Sequence, residues 1–96
     1  MEKNFFVYIM TNKYNNVLYT GVTSNLILRV SQHRYEEFKG FSCRYNLKKL
    51  VYYEHHFEAH SAIAREKQIK KGNRKRKIAL INAFNPEWKD LWDSIK

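Results

Sequence analysis

Phe5-Phe-Val-Tyr-Ile-Met-Thr11 and Val17-Leu-Tyr-Thr-Gly-Val-Thr23 are the two runs of sequence that decide the fold. Both are rich in aromatic and β-branched residues, which favour β-strands. The segment between them, residues 12–16, is dominated by asparagine, which tolerates the left-handed backbone of tight turns. The two runs therefore predict a β-hairpin.

The rest of the chain alternates helical and strand patterns. A helix is predicted to start at a Ser24 or Asn25 cap and to fade by about Glu37, followed by a loop at 38–46 and a strand within Leu47–Phe57. Two further helices are predicted from about Glu58 to Lys71 and from Arg74 to about Ala83, separated by the C-cap signal Gly72-Asn73. Asn85-Pro86 ends the last of them, and a short helix or turn is predicted at 87–92. The tryptophans of that last segment are expected to pack on the core. The fold class is α/β (α+β): a small three-stranded, largely antiparallel sheet flanked by helices, in the order β-β-α-β-α-α.

Length and charge narrow the function. The 96 residues predict a single domain, 1–96. The net charge of +9 points to a polyanionic partner, for which nucleic acid is the default. No stretch approaches the roughly 20 apolar residues of a membrane span, no signal peptide is evident, and Cys43 is the only cysteine. We expect a cytoplasmic protein with no membrane partner and no small-molecule cofactor.

The hairpin carries two phenols. With a turn centred near Lys13 and Tyr14, Tyr8 and Tyr19 are expected to lie approximately opposite each other. From the residues alone, two phenols on one sheet face are packing or hydrogen-bonding groups, or else catalytic ones. Gly21 within a strand indicates a close backbone approach or a bulge.

Three residues outside the hairpin are candidates for functional roles. Arg29 and His33 lie one turn apart on a shared face of the first helix, and Arg29 suits a phosphate contact. Glu66 is the one acid in a strongly basic segment. It either pairs with Lys70 at i+4 or ligates a metal.

The spacing of these residues resembles the GIY-YIG nuclease superfamily. The matching parts are Phe6-Val-Tyr8 and Tyr19-Thr-Gly21, followed by Arg29, His33 and Glu66. Longer matching runs are Leu18-Tyr-Thr-Gly-Val-Thr-Ser-Asn-Leu26, Arg44-Tyr-Asn-Leu-Lys-Lys-Leu-Val-Tyr-Tyr-Glu54, Ala62-Ile-Ala-Arg-Glu-Lys-Gln-Ile-Lys-Lys71 and Asn85-Pro-Glu-Trp-Lys-Asp-Leu91. The resemblance covers almost the whole chain. Within the superfamily, the chain most resembles the branch of small single-domain bacterial proteins, which is related to the N-terminal nuclease domain of the repair excinuclease.

The resemblance implies metal-dependent hydrolysis of a DNA phosphodiester, in DNA repair or processing. Glu66 would hold a Mg²⁺ (or Mn²⁺), Arg29 the scissile phosphate, and His33 would take or relay a proton. Tyr19 would orient or deprotonate the attacking water, with Tyr8 as its partner; a phenolate role requires nearby positive charge because the phenol pKa is about 10.

The departures from the family pattern concern single positions. Val22 follows Gly21 where repair excinuclease relatives have a lysine, which puts a lysine-assisted mechanism in doubt. The site asparagine implied by the resemblance is Asn85, with Asn82 as the alternative. The chain shows no separate DNA-recognition domain, so structure-selective or single-strand-selective cleavage is expected. The rivals are a nucleic-acid-binding module that lost catalysis and an accessory subunit of a repair complex.

Other features have competing interpretations. The cationic residues expected to contact nucleic acid are Arg65, Lys67, Lys70, Lys71, Arg74, Lys75, Arg76 and Lys77. Phe38, Phe41 and Tyr45 either stack on an unpaired base or belong to the core. The histidines His55, His56 and His60 are expected to be exposed or stacking rather than zinc ligands, because adjacent strand residues point to opposite faces.

Overall fold

The computed structural model describes residues 3–35 and 44–96 of the chain. The elements are β1 (Phe5–Thr11), β2 (Leu18–Thr23), α1 (Leu26–Arg34), β3 (Lys49–His56), α2 (Ala59–Lys71), α3 (Arg74–Phe84) and α4 (Trp92–Ile95). The predicted α+β class and element order are confirmed. Phe38, Phe41 and Cys43 lie outside the described residues, as does most of the predicted loop.

The three strands form one antiparallel sheet in the order β2-β1-β3. Thr11 pairs with Leu18, so the turn is centred between Tyr14 and Asn15, one residue later than predicted. Asn15 has a φ of 58°, in the left-handed region, and its N–H donates to the Asn12 carbonyl at 3.0 Å. The loop therefore spans residues 12–17, one residue more than predicted, and the register of the hairpin shifts accordingly.

The expectation that Tyr8 and Tyr19 lie opposite each other is therefore wrong. Tyr8 pairs with Gly21, and Tyr19 pairs with Met10. The two tyrosines are diagonal neighbours on one face, a separation that aromatic side chains still bridge.

The alternation of side chains along each strand produces a core on both faces of the sheet. On one face, α1 and α4 cover a buried cluster of Tyr8, Met10, Leu26, Val30, Leu47 and Leu50. On the other face, α2 and α3 cover a buried cluster of Val7, Ile9, Val51, Tyr52, Ala62, Ile69 and Ile81. Trp88 packs against the second cluster and Trp92 against the first, as the sequence predicted.

The helix ends follow from local capping. Asn25 is the residue that caps α1, since its side chain accepts from the Leu28 N–H at 3.1 Å. Gly72 is the C-cap of α2, as expected. Residues 87–92 were predicted to form a short helix or turn. In that segment no helix forms before Trp92, where α4 starts, because Trp88 has a φ of 55°, which is incompatible with helical backbone.

Among the described residues, no helix is long and apolar enough to cross a lipid bilayer.

Candidate active site

Tyr8 and Tyr19 bring their rings together on the α1 face of the sheet, with centroids 6.3 Å apart. Tyr8 lies directly across the β2 backbone at Gly21. A Cβ atom at Gly21 would stand 2.5 Å from the Tyr8 Oη, so only glycine leaves room for the phenol in this position. The close approach predicted for Gly21 is thus present.

His33 completes this group from α1. Its Nε2 lies 3.0 Å from the Tyr8 Oη, and its ring centroid is 5.4 Å from that of Tyr19. The residue is only 3% exposed. Burial and the nearby Arg29 charge lower the pKa of His33 to about 4, so the imidazole is uncharged at neutral pH.

Tyr8 remains a phenol. Burial is the main cause that raises the pKa of Tyr8, and the neighbouring Tyr19 phenol and the Glu66 carboxylate act in the same direction. Arg29 opposes them by lowering that pKa, without overcoming the burial. Tyr8 is therefore a protonated hydrogen-bonding group and not a base.

Arg29 and Glu66 reach the same group from two different helices. Arg29 lies one turn before His33 on α1, and Glu66 lies on α2, which packs against β1 and β2. The charges of both residues act on Tyr8. Tyr8, Tyr19 and His33 are in direct contact, and the charges of Arg29 and Glu66 act on Tyr8; we call these five residues the Tyr8 cluster.

Glu66 makes the pairing with Lys70 that was one of its two interpretations, and the metal interpretation stays a prediction. Its side chain is 14% exposed, and one carboxylate oxygen lies 3.4 Å from the Lys70 Nζ at i+4. Lys70 itself is half-exposed, so this pairing is weak and easily exchanged. The carboxylate can therefore also serve a metal.

The donor set favours a hard cation that keeps its water. Nowhere in residues 3–35 and 44–96 do three His, Cys, Asp or Glu side chains come together as a metal cage. Zn²⁺ sites require three or four such ligands, whereas Mg²⁺ is held by one or two carboxylates and retains several waters. A single carboxylate such as Glu66, whose charge acts on Tyr8, fits the second kind of ion.

His55 stacks on aromatic rings and His60 is exposed, as expected, whereas His56 is half-buried against Glu54. His55 lies 2.6 Å from Asn4, His56 2.8 Å from Glu54, and His60 3.0 Å from Glu58. Each imidazole has its own partner.

Asn85 has a structural position at the end of α3. It is 6% exposed, donates to the Val51 and Lys89 carbonyls at 3.2 and 2.8 Å, and accepts from the Lys89 N–H. These bonds tie the end of α3 to β3. Asn82, the alternative, accepts from the Trp88 indole at 2.6 Å. Neither contact is with the Tyr8 cluster, so a role at the site stays a prediction for both.

The predicted cationic surface is divided by the structure. The exposed members are Lys67, Lys70, Lys71, Arg74, Lys75 and Arg76, while Lys77 is half-buried. Arg65 is different, because it is half-buried and donates to Glu54 at 2.9 Å and to Gln68 at 2.8 Å. Sequence analysis missed the Glu54 partner; the alternation of Tyr52, Glu54 and His56 along β3 is the signal that could have found it.

The comparisons with known proteins agree with this geometry. A family profile described as the GIY-YIG catalytic domain matches residues 4–79, which include every member of the Tyr8 cluster. This chain belongs to the GIY-YIG family, as its motifs indicated. The family is one of nucleases, which bind nucleic acid and generally depend on a divalent metal.

Within that family, the chain is similar to proteins named UPF0213. One, from Pediococcus pentosaceus, is 33% identical over 82 residues, which are 81% of this chain and 82% of that protein. A solution NMR structure of a UPF0213 protein from Bacillus halodurans has a TM-score of 0.58 at 22% sequence identity, with 91% of this chain and 92% of that one covered. The NMR structure bears on the fold alone.

Proposed function

We propose that this chain is a divalent-metal-dependent DNA endonuclease that hydrolyses phosphodiester bonds, selective for single-stranded or branched DNA, in DNA repair or processing. The observation that carries the proposal is the contact of Tyr8 with the uncharged imidazole of His33 and with the ring of Tyr19, within range of the charges of Arg29 and Glu66. Phosphodiester hydrolysis gathers negative charge on the phosphate, so its site needs cations and preorganised donors. This cluster offers both.

Arg29 and the tyrosines divide the task of positioning. The forked guanidinium of Arg29 suits a bidentate contact with the scissile phosphate. Tyr19 is half-buried and lies at the outer side of the cluster, while Tyr8 is 1% exposed. We therefore assign Tyr19 to orient the attacking water and Tyr8 to hold Tyr19 and His33 in place.

His33 is suited to move a proton. At neutral pH it is uncharged, which is the form that accepts one. Burial is the main cause of its lowered pKa and the Arg29 charge is the lesser one, so a phosphate bound at Arg29 would offset only the lesser cause and shift the pKa of His33 upward.

Glu66 is the residue that would hold the metal, Mg²⁺ or Mn²⁺. When bound, the ion supplies electrostatic stabilisation of the phosphate and of the leaving oxygen. Glu66 contributes a carboxylate that is already partly desolvated at 14% exposure, close enough for its charge to act on Tyr8.

The exposed cations of α2 and α3 support nucleic acid as substrate. The chain carries 18 Lys and Arg against 9 Asp and Glu, and six of the predicted contact residues are exposed. Backbone contacts by such residues give affinity without sequence selectivity. We therefore propose that residues 1–96 act as one cytoplasmic nuclease domain that recognises DNA structure rather than sequence.

The test is a cleavage assay on labelled single-stranded, duplex, flap and branched DNA with Mg²⁺, Mn²⁺ or EDTA. Glu66→Gln is expected to lower the cleavage rate at least about 100-fold. Glu58→Gln is the matched control, because Glu58 precedes α2 and its side chain is 65% exposed. The control should cleave within about two-fold of the wild type.

Two results would contradict the proposal. Metal-dependent cleavage that survives in Glu66→Gln would remove the proposed metal role. Binding to the DNA panel without cleavage of any member, in either metal, would favour the alternative of a catalytically silent binding module or an accessory subunit of a repair complex.

A further inference from the structure

A cavity of about 480 Å³ opens beyond the Tyr8 cluster, at the end of the sheet that carries the β1–β2 turn. It is lined by Asn12, Lys13, Tyr14, Arg34, Tyr45, Asn46, Lys48, Lys49 and Asp90. These residues come from the β1–β2 turn, the end of α1, the segment before β3 and the segment before α4. None of them belongs to the cationic surface of α2 and α3.

The walls of the cavity are tied together by hydrogen bonds. Arg34 donates to the Lys48 carbonyl at 3.0 Å and forms an ion pair with Asp90, which also accepts from the Leu50 N–H at 3.2 Å. Lys49 donates to the Asn15 side chain at 2.9 Å. The four segments therefore hold a fixed shape, which reduces the entropy lost when a ligand orders its site.

The charge of this cavity suits an anion. Among residues 3–35 and 44–96, its lining contains Lys13, Arg34, Lys48 and Lys49 against the carboxylate of Asp90. Asp90 is already paired with Arg34, so Lys13 and Lys49 give the adjoining surface a positive potential.

The cavity also offers two aromatic rings. Tyr14 is 69% exposed and Tyr45 is 39% exposed. The Nζ of Lys13 lies 4.9 Å from the centroid of the Tyr14 ring. Exposed aromatic rings interleaved with cations are the combination that binds unpaired nucleotides, because bases stack on the rings while phosphates meet the cations.

The cavity lies close to the candidate active site along α1 and along β1, because residues at or just beyond the ends of both elements line it. Arg34 directly follows His33 on α1. Asn12 lies two residues beyond Met10, the partner of Tyr19, which is about 7 Å along the strand. A flanking nucleotide of a strand whose phosphodiester lies at Arg29 and Tyr19 is therefore within reach of the cavity.

We propose that this cavity binds an unpaired nucleotide that flanks the scissile phosphodiester, with the base stacked on Tyr14 or Tyr45 and the phosphate held by the lysines. The proposal rests on the nuclease function proposed above and names the part of its substrate that must be single-stranded. A paired base cannot stack on these rings, since both of its faces are covered in a duplex.

The test measures binding apart from cleavage. Fluorescein-labelled single-stranded oligonucleotides, DNA and RNA of one sequence, are titrated in EDTA and followed by anisotropy, beside a duplex of the same DNA sequence. Tyr14→Ala and Tyr45→Ala together are expected to weaken binding of the single strands about 5- to 100-fold. The duplex should change less than about two-fold, because its bases are not available for stacking. The matched control is Tyr35→Ala, a tyrosine that is 71% exposed and does not line the cavity.

The lysines are tested by the salt dependence of binding. Lys13→Gln with Lys49→Gln should flatten the slope of log K against log salt by about 0.7 for each phosphate contact that is lost. Lys3→Gln, at the opposite end of β1, is the control and should leave affinity within about two-fold.

The outcomes separate this proposal from the nuclease proposal. If the tyrosine double variant binds DNA and RNA single strands as tightly as Tyr35→Ala does, the nucleotide site is wrong, whatever the cleavage assay shows. If the wild type cleaves no substrate while the double variant still loses single-strand binding, the nucleotide site stands and the nuclease function falls. Where cleavage occurs, the double variant should raise KM for single-stranded DNA rather than lower kcat.

Discussion

The two faces of the sheet carry two polar clusters built from the same kinds of residue. The tyrosines and His33 of the Tyr8 cluster lie on the α1 side, and Glu66 comes from α2. On the other side Tyr52, Glu54 and His56 alternate along β3 and meet Arg65 of α2; we call these four residues the Glu54 cluster. Each cluster contains tyrosine, histidine, arginine and glutamate. The clusters differ in where the carboxylate stands.

In the Glu54 cluster the carboxylate is at the centre. It accepts from the Tyr52 hydroxyl, from His56 at 2.8 Å and from Arg65 at 2.9 Å. Burial alone would raise the pKa of Glu54, and these hydrogen bonds together with the Arg65 charge bring the pKa below its usual value. A carboxylate with three donors has little capacity left for a ligand. This cluster ties α2 to the sheet.

In the Tyr8 cluster the centre is a phenol, and the carboxylate lies at the edge. Tyr8 meets the uncharged His33, and Glu66 pairs with the half-exposed Lys70. Arg65 and Glu66 are consecutive on α2, so the ion pair of Arg65 with Glu54 fixes the rotation of the helix that presents Glu66. The Glu54 cluster therefore has a structural role: it fixes the position of α2, and α2 in turn presents Glu66 to the Tyr8 cluster.

The largest effect that separates the clusters is expected from their phenols. Tyr8→Phe should lower kcat at least about 100-fold, because Tyr8 holds both His33 and Tyr19. Tyr52→Phe should leave kcat within about three-fold and lower the free energy of unfolding by about 2 kcal/mol, because a hydrogen bond to a charged group is lost. Cleavage assays and urea unfolding measure the two effects. Equal losses of kcat in both variants, well below their melting temperatures, would contradict the distinction.

Short-range signals in the sequence predicted the fold, but not the contrast between the two clusters. The strands, the helix caps and the i, i+4 spacing of Arg29 and His33 depend on neighbours in the chain, so they were predictable. The register of the hairpin was not, because the left-handed Asn15 moves the turn by one residue.

The Glu54 cluster was missed for a different reason. Arg65 looked like one more cation of a basic helix, and only the packing of α2 on β3 shows that it meets Glu54. Contacts between distant segments depend on the rotation of whole helices, which the residue pattern of one segment does not determine. The members of the Tyr8 cluster were found through resemblance, since two phenols alone indicate only packing or hydrogen bonding.

A second test uses the pH dependence of stability. The pKa of His33 falls from 6.5 to about 4 on folding. Below pH 6.5 the unfolded chain therefore binds a proton that the folded chain does not, and stability is lost as the pH falls from about 6.5 to 4, by up to about 3 kcal/mol. The lowered pKa of Glu54 acts in a more acidic window: its contribution is present above about pH 4.5 and is lost as the pH falls through its folded value.

The two windows can be separated by urea unfolding at several pH values between 7 and 3. His33→Asn should remove the loss of stability between pH 6.5 and 4, and Glu54→Gln should reduce the loss below pH 4.5. If His33→Asn keeps the full dependence of the wild type above pH 4.5, the imidazole is not the group that titrates there, and its uncharged state at the Tyr8 cluster is wrong.

The smallest effect concerns the β2 strand that separates the two faces. Thr20 lies between Tyr19 and Gly21 and pairs with Ile9, so its side chain points to the α2 side. It is 3% exposed, and within residues 3–35 and 44–96 its Oγ1 is the one buried side-chain polar atom without a hydrogen-bond partner. Thr20→Val replaces the hydroxyl by a methyl group of similar size, so we expect the free energy of unfolding to rise by about 1 kcal/mol.

The matched control for Thr20→Val is Thr11→Val, because the Thr11 hydroxyl is also buried but donates to the Val17 carbonyl at 2.7 Å. The same substitution there should lower stability by about 1 kcal/mol. Thr20→Val should also leave cleavage within about two-fold of the wild type, since the change lies on the face opposite Tyr19 and Gly21. A loss of stability equal to that of Thr11→Val would mean that the Thr20 hydroxyl has a working partner. A large loss of cleavage with stability retained would mean instead that the two faces are coupled through β2, and that the Tyr8 cluster depends on packing beneath it as well as on the rotation of α2.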